Sequence, residues 1–267
     1  MKSKTSEYPI GRYRMCLAFD GTDFFGWQRL GHTSLTLQQV MEEAVSEFFS
    51  QPIGIMGCGR TDAGVHAEAY QAHFDAPLDP QRMSRFHNAL QLMTPKSIAV
   101  RRVWIAPPEF HALRSVIKKT YKYRIDNRRI PNVFNRRFFA HVRRPIDIDL
   151  MNEASQFLLQ KQDFKSFQTS GSQPKSTVRE ILEAHWETDG HGRVTFTITG
   201  DGFLKQMVRN IVGTLLDLQK YSRDPSYILQ VIQARDRQAA GTTAFPEGLT
   251  LHRVYYPEFL DNECRKI

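Results

Sequence analysis

Residues Gly57 to Ala67 read GCGRTDAGVHA, and three glycines in eight positions suit neither a helix interior nor a long strand. The segment therefore reads as a loop. On either side of it the residues suit short strands, at Ile53–Cys58 and Ala69–Ala76. Two strands joined by so short a loop pair antiparallel, and that pairing sets the expected fold class. The loop also holds one carboxylate, Asp62, two residues from Arg60 and four from His66. Glycine permits close approach of other backbone or of a ligand.

Working outward, Arg12–Phe19 alternates Tyr13, Met15, Leu17 and Phe19 against Arg12, Arg14, Cys16 and Ala18, the pattern of a half-buried strand. Leu37–Phe49 places Leu37, Val40, Met41, Ala44, Val45 and Phe48 on one helical face. Asp79-Pro80 supplies an N-cap and a first-turn proline for a helix running to about Leu92. A strand is expected at Ser97–Ile105, after which Pro107-Pro108 interrupts the chain. The second half repeats the rhythm. Strands are expected at Thr120–Ile125 and Phe138–Val142, then a helix from about Leu150 to Leu159. Strands at Val178–Glu187 and Arg193–Thr199 precede a helix at Phe203–Leu218. A further helix opens at Asp224-Pro225, and Thr250–Tyr256 reads as a closing strand. The class is α+β, in two halves at residues 1–112 and 113–267, each a mostly antiparallel sheet with helices on one face.

Composition narrows the function. The 267 residues carry 36 Lys/Arg against 28 Asp/Glu, a formal net charge of +8. Between Arg114 and Arg144 stand eleven Lys/Arg and one acid, Asp126, so the rest of the chain is close to neutral. Tyr121, Tyr123, Phe134, Phe138, Phe139 and His141 are interleaved with these cations. Phosphates meet cations and unstacked bases meet rings, so the run suits RNA; anionic membranes and acidic proteins attract such patches too. No apolar run is long enough to span a bilayer and the N-terminus lacks a signal-peptide pattern, so a cytoplasmic protein is expected. Cys16, Cys58 and Cys264 form no CxxC pair, which argues against a disulfide framework or a zinc ribbon.

Other chemistries find no pattern. His66-Ala67-Glu68 matches the H-x-E of zinc nucleobase deaminases, but no P-C-x-x-C follows. His66, His73 and His87 lack metal-ligand spacing. A phosphate-binding P-loop, a dinucleotide fingerprint and a G-x-S-x-G elbow are all absent. Taken alone, Asp62 in Thr-Asp-Ala-Gly reads as a turn former. Tyr121 and Tyr123 share one strand face with Ile125 and read as core aromatics, opposite Thr120, Lys122 and Arg124. Arg209 falls just beyond the apolar arc formed by Leu204, Met207, Val208, Ile211 and Leu215.

Ordered blocks along nearly the whole chain resemble the A-type tRNA pseudouridine synthases, the TruA family. GRTDAGVHA resembles the family's catalytic signature. Phe19-Asp20-Gly21-Thr22 with Phe24 and Gly26-Trp27-Gln28 resembles its DGTxFxGWQ. Phe110-His111-Ala112 with Ser115, Tyr121 and Tyr123 resembles FHARxSA…YxY, Gln162–Phe167 resembles HDFxSF, and GFLKQMVRNIVG resembles the helix after the last hairpin. Gly241–Leu249 resembles GPTAPAxGL. Three departures stand out: Leu113 in place of the arginine of FHAR, Gln162 in place of the histidine of HDF, and a proline moved by one place in TTAFPEGL.

The resemblance implies two ferredoxin-like halves around a central RNA-binding cleft, a homodimer, and a cofactor-free isomerisation of uridine to pseudouridine. It implies tRNA as partner, modified in the anticodon arm at positions 38, 39 and 40. It makes Asp62 the catalytic carboxylate, Tyr121 the ring that stacks on the target base, Arg60 a contact within the RNA-bound site, and Arg209 the partner of Asp62. The rival reading is a non-catalytic RNA-binding protein of the same fold, which would tolerate loss of Asp62.

Overall fold

A computed structural model describes residues 8–171 and 173–267, and the chain divides into two compact units. The first comprises residues up to 117 together with 254–267; the second is 118–253.

In the first unit β1 (Ile10–Phe19) leads to α1 (Leu37–Phe49), β2 (Met56–Gly57), β3 (His66–Pro77), α2 (Pro80–Met93) and β4 (Ile98–Ala106). β1 lies between β3 and β4, antiparallel to both. Its alternation buries Tyr13, Met15 and Leu17. Tyr13 faces Phe74 in register, and their rings stack with centroids 4.9 Å apart. Phe49 of α1 and Phe86 of α2 close over this pair, at 5.7 and 5.6 Å from the Tyr13 ring. Enclosure among these rings pushes the Tyr13 hydroxyl up to about 12. The strand expected over Ile53–Cys58 contracts to β2, because helix side chains take its first donors. Ile53 N–H donates to Ser46 Oγ at 2.9 Å and Ile55 N–H to Glu42 Oε1 at 3.0 Å.

The second unit begins with β5 (Lys118–Asp126) and continues through β6 (Ala140–His141), α3 (Ile148–Gln156), β7 (Gln160–Asp163), β8 (Val178–Thr188), β9 (Arg193–Gly200), α4 (Met207–Lys220) and α5 (Tyr227–Ala234). Then comes β10 (Leu249–Tyr255), which pairs with β5. From that strand the order runs β10-β5-β9-β8-β7, antiparallel at β5–β9, β9–β8 and β8–β7. β6 pairs parallel with the end of β5. Tyr121, Tyr123 and Ile125 fall opposite Ile198, Phe196 and Val194, one apolar face. Trp186 stacks on Phe196 at 4.7 Å and donates from Nε1 to Ser155 Oγ of α3 at 3.1 Å. On the other face Thr120 is buried rather than solvated, sharing a hydrogen bond with Thr199, which donates to Glu183.

The helix expected from Phe203 starts four residues later. Gln206 sits in the left-handed region at φ 58°, which an α-helix cannot pass through. Gln162, in place of the histidine in the resembled motif, donates to the Phe157 and Leu158 carbonyls beyond α3.

The chain ends back in the first unit with α6 (Glu258–Glu263) and β11 (Arg265–Lys266), the latter pairing with β4. Arg14, buried on β1, holds this return. Its guanidinium lies 4.7 Å from the Phe110 and Tyr256 ring centres, and it bonds Asp261 at 2.5 Å and Gln71 at 2.9 Å. The scaffold is thus mixed α/β with mostly antiparallel pairing.

Candidate active site

The aspartate loop joins β2 to β3 and is fixed by the chain on both sides of it. Cys58 N–H donates to Gln71 O on β3 at 2.8 Å, and the Tyr70 hydroxyl donates to Gly59 O. Residues 21–27 grip the other flank. Trp27 N–H donates to Thr61 O and Gly64 N–H to Phe24 O, both at 3.2 Å, and Val65 N–H closes a turn onto Asp62 O. His66, buried, accepts the Gly21 N–H on Nδ1 at 3.0 Å. The histidine that resembled half of a zinc motif therefore ties two loops together.

The clearance at Gly57 serves the protein's own rings. A Cβ there would collide with the Tyr70 hydroxyl and the Trp27 indole, which stack at 4.1 Å. Trp27 and Tyr70 form the floor under the loop, and this role has no local mark in the sequence. Asp62 is left half-exposed, and Arg60 is exposed with no hydrogen bond or ion pair among the described residues.

In the second unit Tyr121 is buried on β5 and meets Phe203 edge-on, at 5.1 Å between centroids. Arg209 lies in the first turn of α4, half-buried. Its Nε donates to Ala244 O at 2.8 Å, while its own carbonyl accepts the Ala244 N–H at 3.1 Å. The segment bearing Ala244 is itself anchored. Asn210, fully buried, accepts from Thr243 Oγ1 at 2.7 Å and Arg237 at 3.1 Å, and donates to Phe167 O at 2.8 Å. Arg237 also reaches Gly241 O and Thr243 Oγ1. Asp217 accepts the Thr242 N–H at 2.9 Å. Tyr123 donates its hydroxyl to Phe245 O at 2.9 Å, and burial drives that hydroxyl far above its ordinary range. The shifted proline of TTAFPEGL opens a short 3₁₀ turn at Pro246–Gly248.

Asn210 and Arg237 escaped the sequence reading. The available mark was Asn210, a polar residue on the apolar stripe of α4. Arg60 and Asp62 share one loop of the first unit; Tyr121 and Arg209 belong to the second.

A second polar cluster lies near β3. His73 Nδ1 accepts the Ala112 N–H at 3.1 Å, and His111 Nδ1 accepts from Leu113 and Arg114 N–H at 3.2 Å. Burial, with Arg12 and His111 adding to it, lowers His73 to about 4. Leu113, in place of the arginine of FHAR, is exposed. Among the described residues no three or more His, Cys, Asp or Glu gather as a metal site, and no helix is long and apolar enough to cross a membrane.

A half-exposed carboxylate on a pinned loop, in an α/β chain with an arginine-rich run, suits an enzyme that acts on RNA. A sequence profile of a family described as tRNA pseudouridine synthase matches residues 154–257. The chain is 46% identical over 259 residues to the tRNA pseudouridine synthase A of Bdellovibrio bacteriovorus, covering 96% of this chain and 99% of that one. It is 39% identical to tRNA pseudouridine synthase A 2 of Clostridium perfringens, over 91% and 98% of the two chains. It is 38% identical to tRNA pseudouridine synthase A of Brevibacillus brevis, over 92% and 99%. This chain belongs to the tRNA pseudouridine synthase family, isomerases that convert uridine to pseudouridine in tRNA.

Proposed function

We propose that this protein converts uridine to pseudouridine in the anticodon arm of tRNA, at positions 38, 39 and 40, with Asp62 as the catalytic carboxylate. Its two halves act as ferredoxin-like RNA-binding units, without a cofactor, in a cytoplasmic homodimer. The reaction breaks the C1′–N1 bond, turns the base and joins C1′ to C5; the C5 proton leaves and N1 gains one, so the atoms balance. An ionised carboxylate serves this chemistry by covalent attack, by stabilising an oxocarbenium-like C1′, or by removing a sugar proton. Arg209 is a further substrate-binding residue in this reading.

The base must leave its stack, at a cost of a few kcal/mol, and stacking on Tyr121 at about 1–3 kcal/mol offsets this. Arg60 contacts the RNA within the site, and the Arg114–Arg144 run takes phosphates. The observation that carries the reading is the aspartate loop. Its backbone is fixed from both sides, with Asp62 half-exposed and Arg60 exposed on it. The test maps pseudouridine in unmodified tRNA transcripts after incubation with the protein, by carbodiimide adducts and primer extension. Stops at positions 38, 39 or 40 are expected; stops only outside the anticodon arm would overturn the assignment.

A further inference from the structure

Asp126 is the one acid among eleven Lys/Arg between residues 114 and 144, and it is buried. It does not face the partner that those cations attract. Its carboxylate takes a two-pronged bond from Arg128, at 2.6 and 2.8 Å, and the Asn132 N–H at 2.7 Å. These bonds hold Asp126 down at about 2. Its charge is thus spent at the end of β5, where it closes the root of the loop over residues 127–139.

The loop is fixed beyond that root. Asn132 Oδ1 accepts the Phe134 N–H at 2.9 Å, and Phe138 N–H donates to Asn135 O at 2.9 Å. His141 Nε2 bonds Arg128 O at 2.9 Å, and Asn127 donates to the Val142 and Arg144 carbonyls. At Gly192, in the turn before β9, a Cβ would press into the methylenes of Arg128, so that turn leaves room for the side chain that binds Asp126. The product of this internal order is an apolar tip in water. Phe134 is 91% exposed, with Ile130 and Val133 exposed beside it and Arg129 and Arg136 on the same loop. An ordered, exposed aromatic among arginines matches a nucleobase between phosphates. A second copy of the same basic surface would meet it with like charge.

We propose that the 127–139 loop is a preformed RNA reader, in which Phe134 stacks on an unpaired base of the substrate, Arg129 and Arg136 meet the adjoining phosphates, and Asp126 is the positioning residue that holds the loop in shape. This rests on the tRNA reading above and adds a contact that the target uridine does not make.

The test measures the affinity of the full chain for an unmodified tRNA transcript at fixed salt. Phe134→Ala, at an exposed position, weakens binding about 5- to 150-fold, the range that lost base stacking sets. In Phe134→Trp the introduced indole is quenched on adding tRNA and shielded from acrylamide. Asp126→Asn gives a sign test. A purely electrostatic role predicts tighter RNA binding once the negative charge is gone; a positioning role predicts weaker binding, with the Phe134→Trp emission in the double variant losing its response.

Phe134→Ala binding within twofold of the parent, or an indole indifferent to tRNA, overturns the stacking contact. Tighter binding by Asp126→Asn overturns the positioning role. Phe134→Ala shifting the monomer–dimer balance while leaving RNA affinity unchanged assigns the tip to a second copy and overturns the proposal. Wild type that binds tRNA yet forms no pseudouridine defeats the proposed function alone; pseudouridine formation with an unaffected Phe134→Ala defeats this inference alone.

Discussion

His73 shows how one buried side chain couples this scaffold to pH. Its Nδ1 accepts the Ala112 N–H, so the folded protein holds the ring neutral, and its pKa falls from the ordinary 6.5 to about 4. Burial is the main cause, reinforced by Arg12 and by His111, whose ring centre lies 4.7 Å away. Between those two values the unfolded chain binds the extra proton. Stability is therefore fully present above about pH 6.5, declines as pH falls toward about 4, and this contribution is flat below that. At about 1.4 kcal/mol per pH unit the full effect is about 3.5 kcal/mol at most, which solvent screening lowers to on the order of 2–3 kcal/mol. His73→Asn retains an acceptor near the Ala112 N–H and removes the titration. Urea denaturation from pH 7 to pH 4 should show a shallower decline in this variant; identical slopes would contradict the assignment. Nothing local announced this role, since the ring's neighbours come from residues 12 and 111–112.

The Asp79-Pro80 cap was legible because its chemistry is local, whereas the helix expected to open at Asp224-Pro225 starts at Tyr227 without a side-chain cap. Asp79 accepts the Gln81 N–H at 2.9 Å and the Arg82 N–H at 3.4 Å, with Pro80 in the first turn, as the dipeptide implied. Asp79→Ala should cost about 1 kcal/mol, read as a lower urea midpoint at unchanged m. An unchanged midpoint would show that packing alone holds α2. The range Leu37–Phe49 was legible from its apolar periodicity alone, and the structure closes it between Thr36 as N-cap and Ser50 in the left-handed region. Elements shaped by distant partners were not. β2 lost its first residues to Ser46 and Glu42 of α1. α4 starts late at a left-handed Gln206, and β7 consists of Gln160–Asp163, four polar residues recruited by pairing with β8. In the site, Asp62 and Arg60 could be read from one contiguous motif. The Asn210–Arg237–Thr243 network could not, since Asn210 meets Arg237 and Thr243 only across 27 and 33 residues of chain.

Across the whole molecule, charge and chemistry are divided between the units. The aspartate loop belongs to the first, while most of the Arg114–Arg144 run, with Tyr121 and Arg209, belongs to the second. The second unit's one acid in that run is neutralised inwardly by Arg128, leaving a surface suited to polyanion. Family membership makes the polyanion tRNA, and the central claim is that Asp62 then carries out the isomerisation. The most direct measurement is tritium release from tRNA labelled at uridine C5, alongside tRNA affinity, for wild type and Asp62→Asn. The account predicts release by wild type, a loss of roughly 1,000-fold or more in the variant, and affinity within a few-fold. Release by Asp62→Asn at the wild-type rate would contradict it.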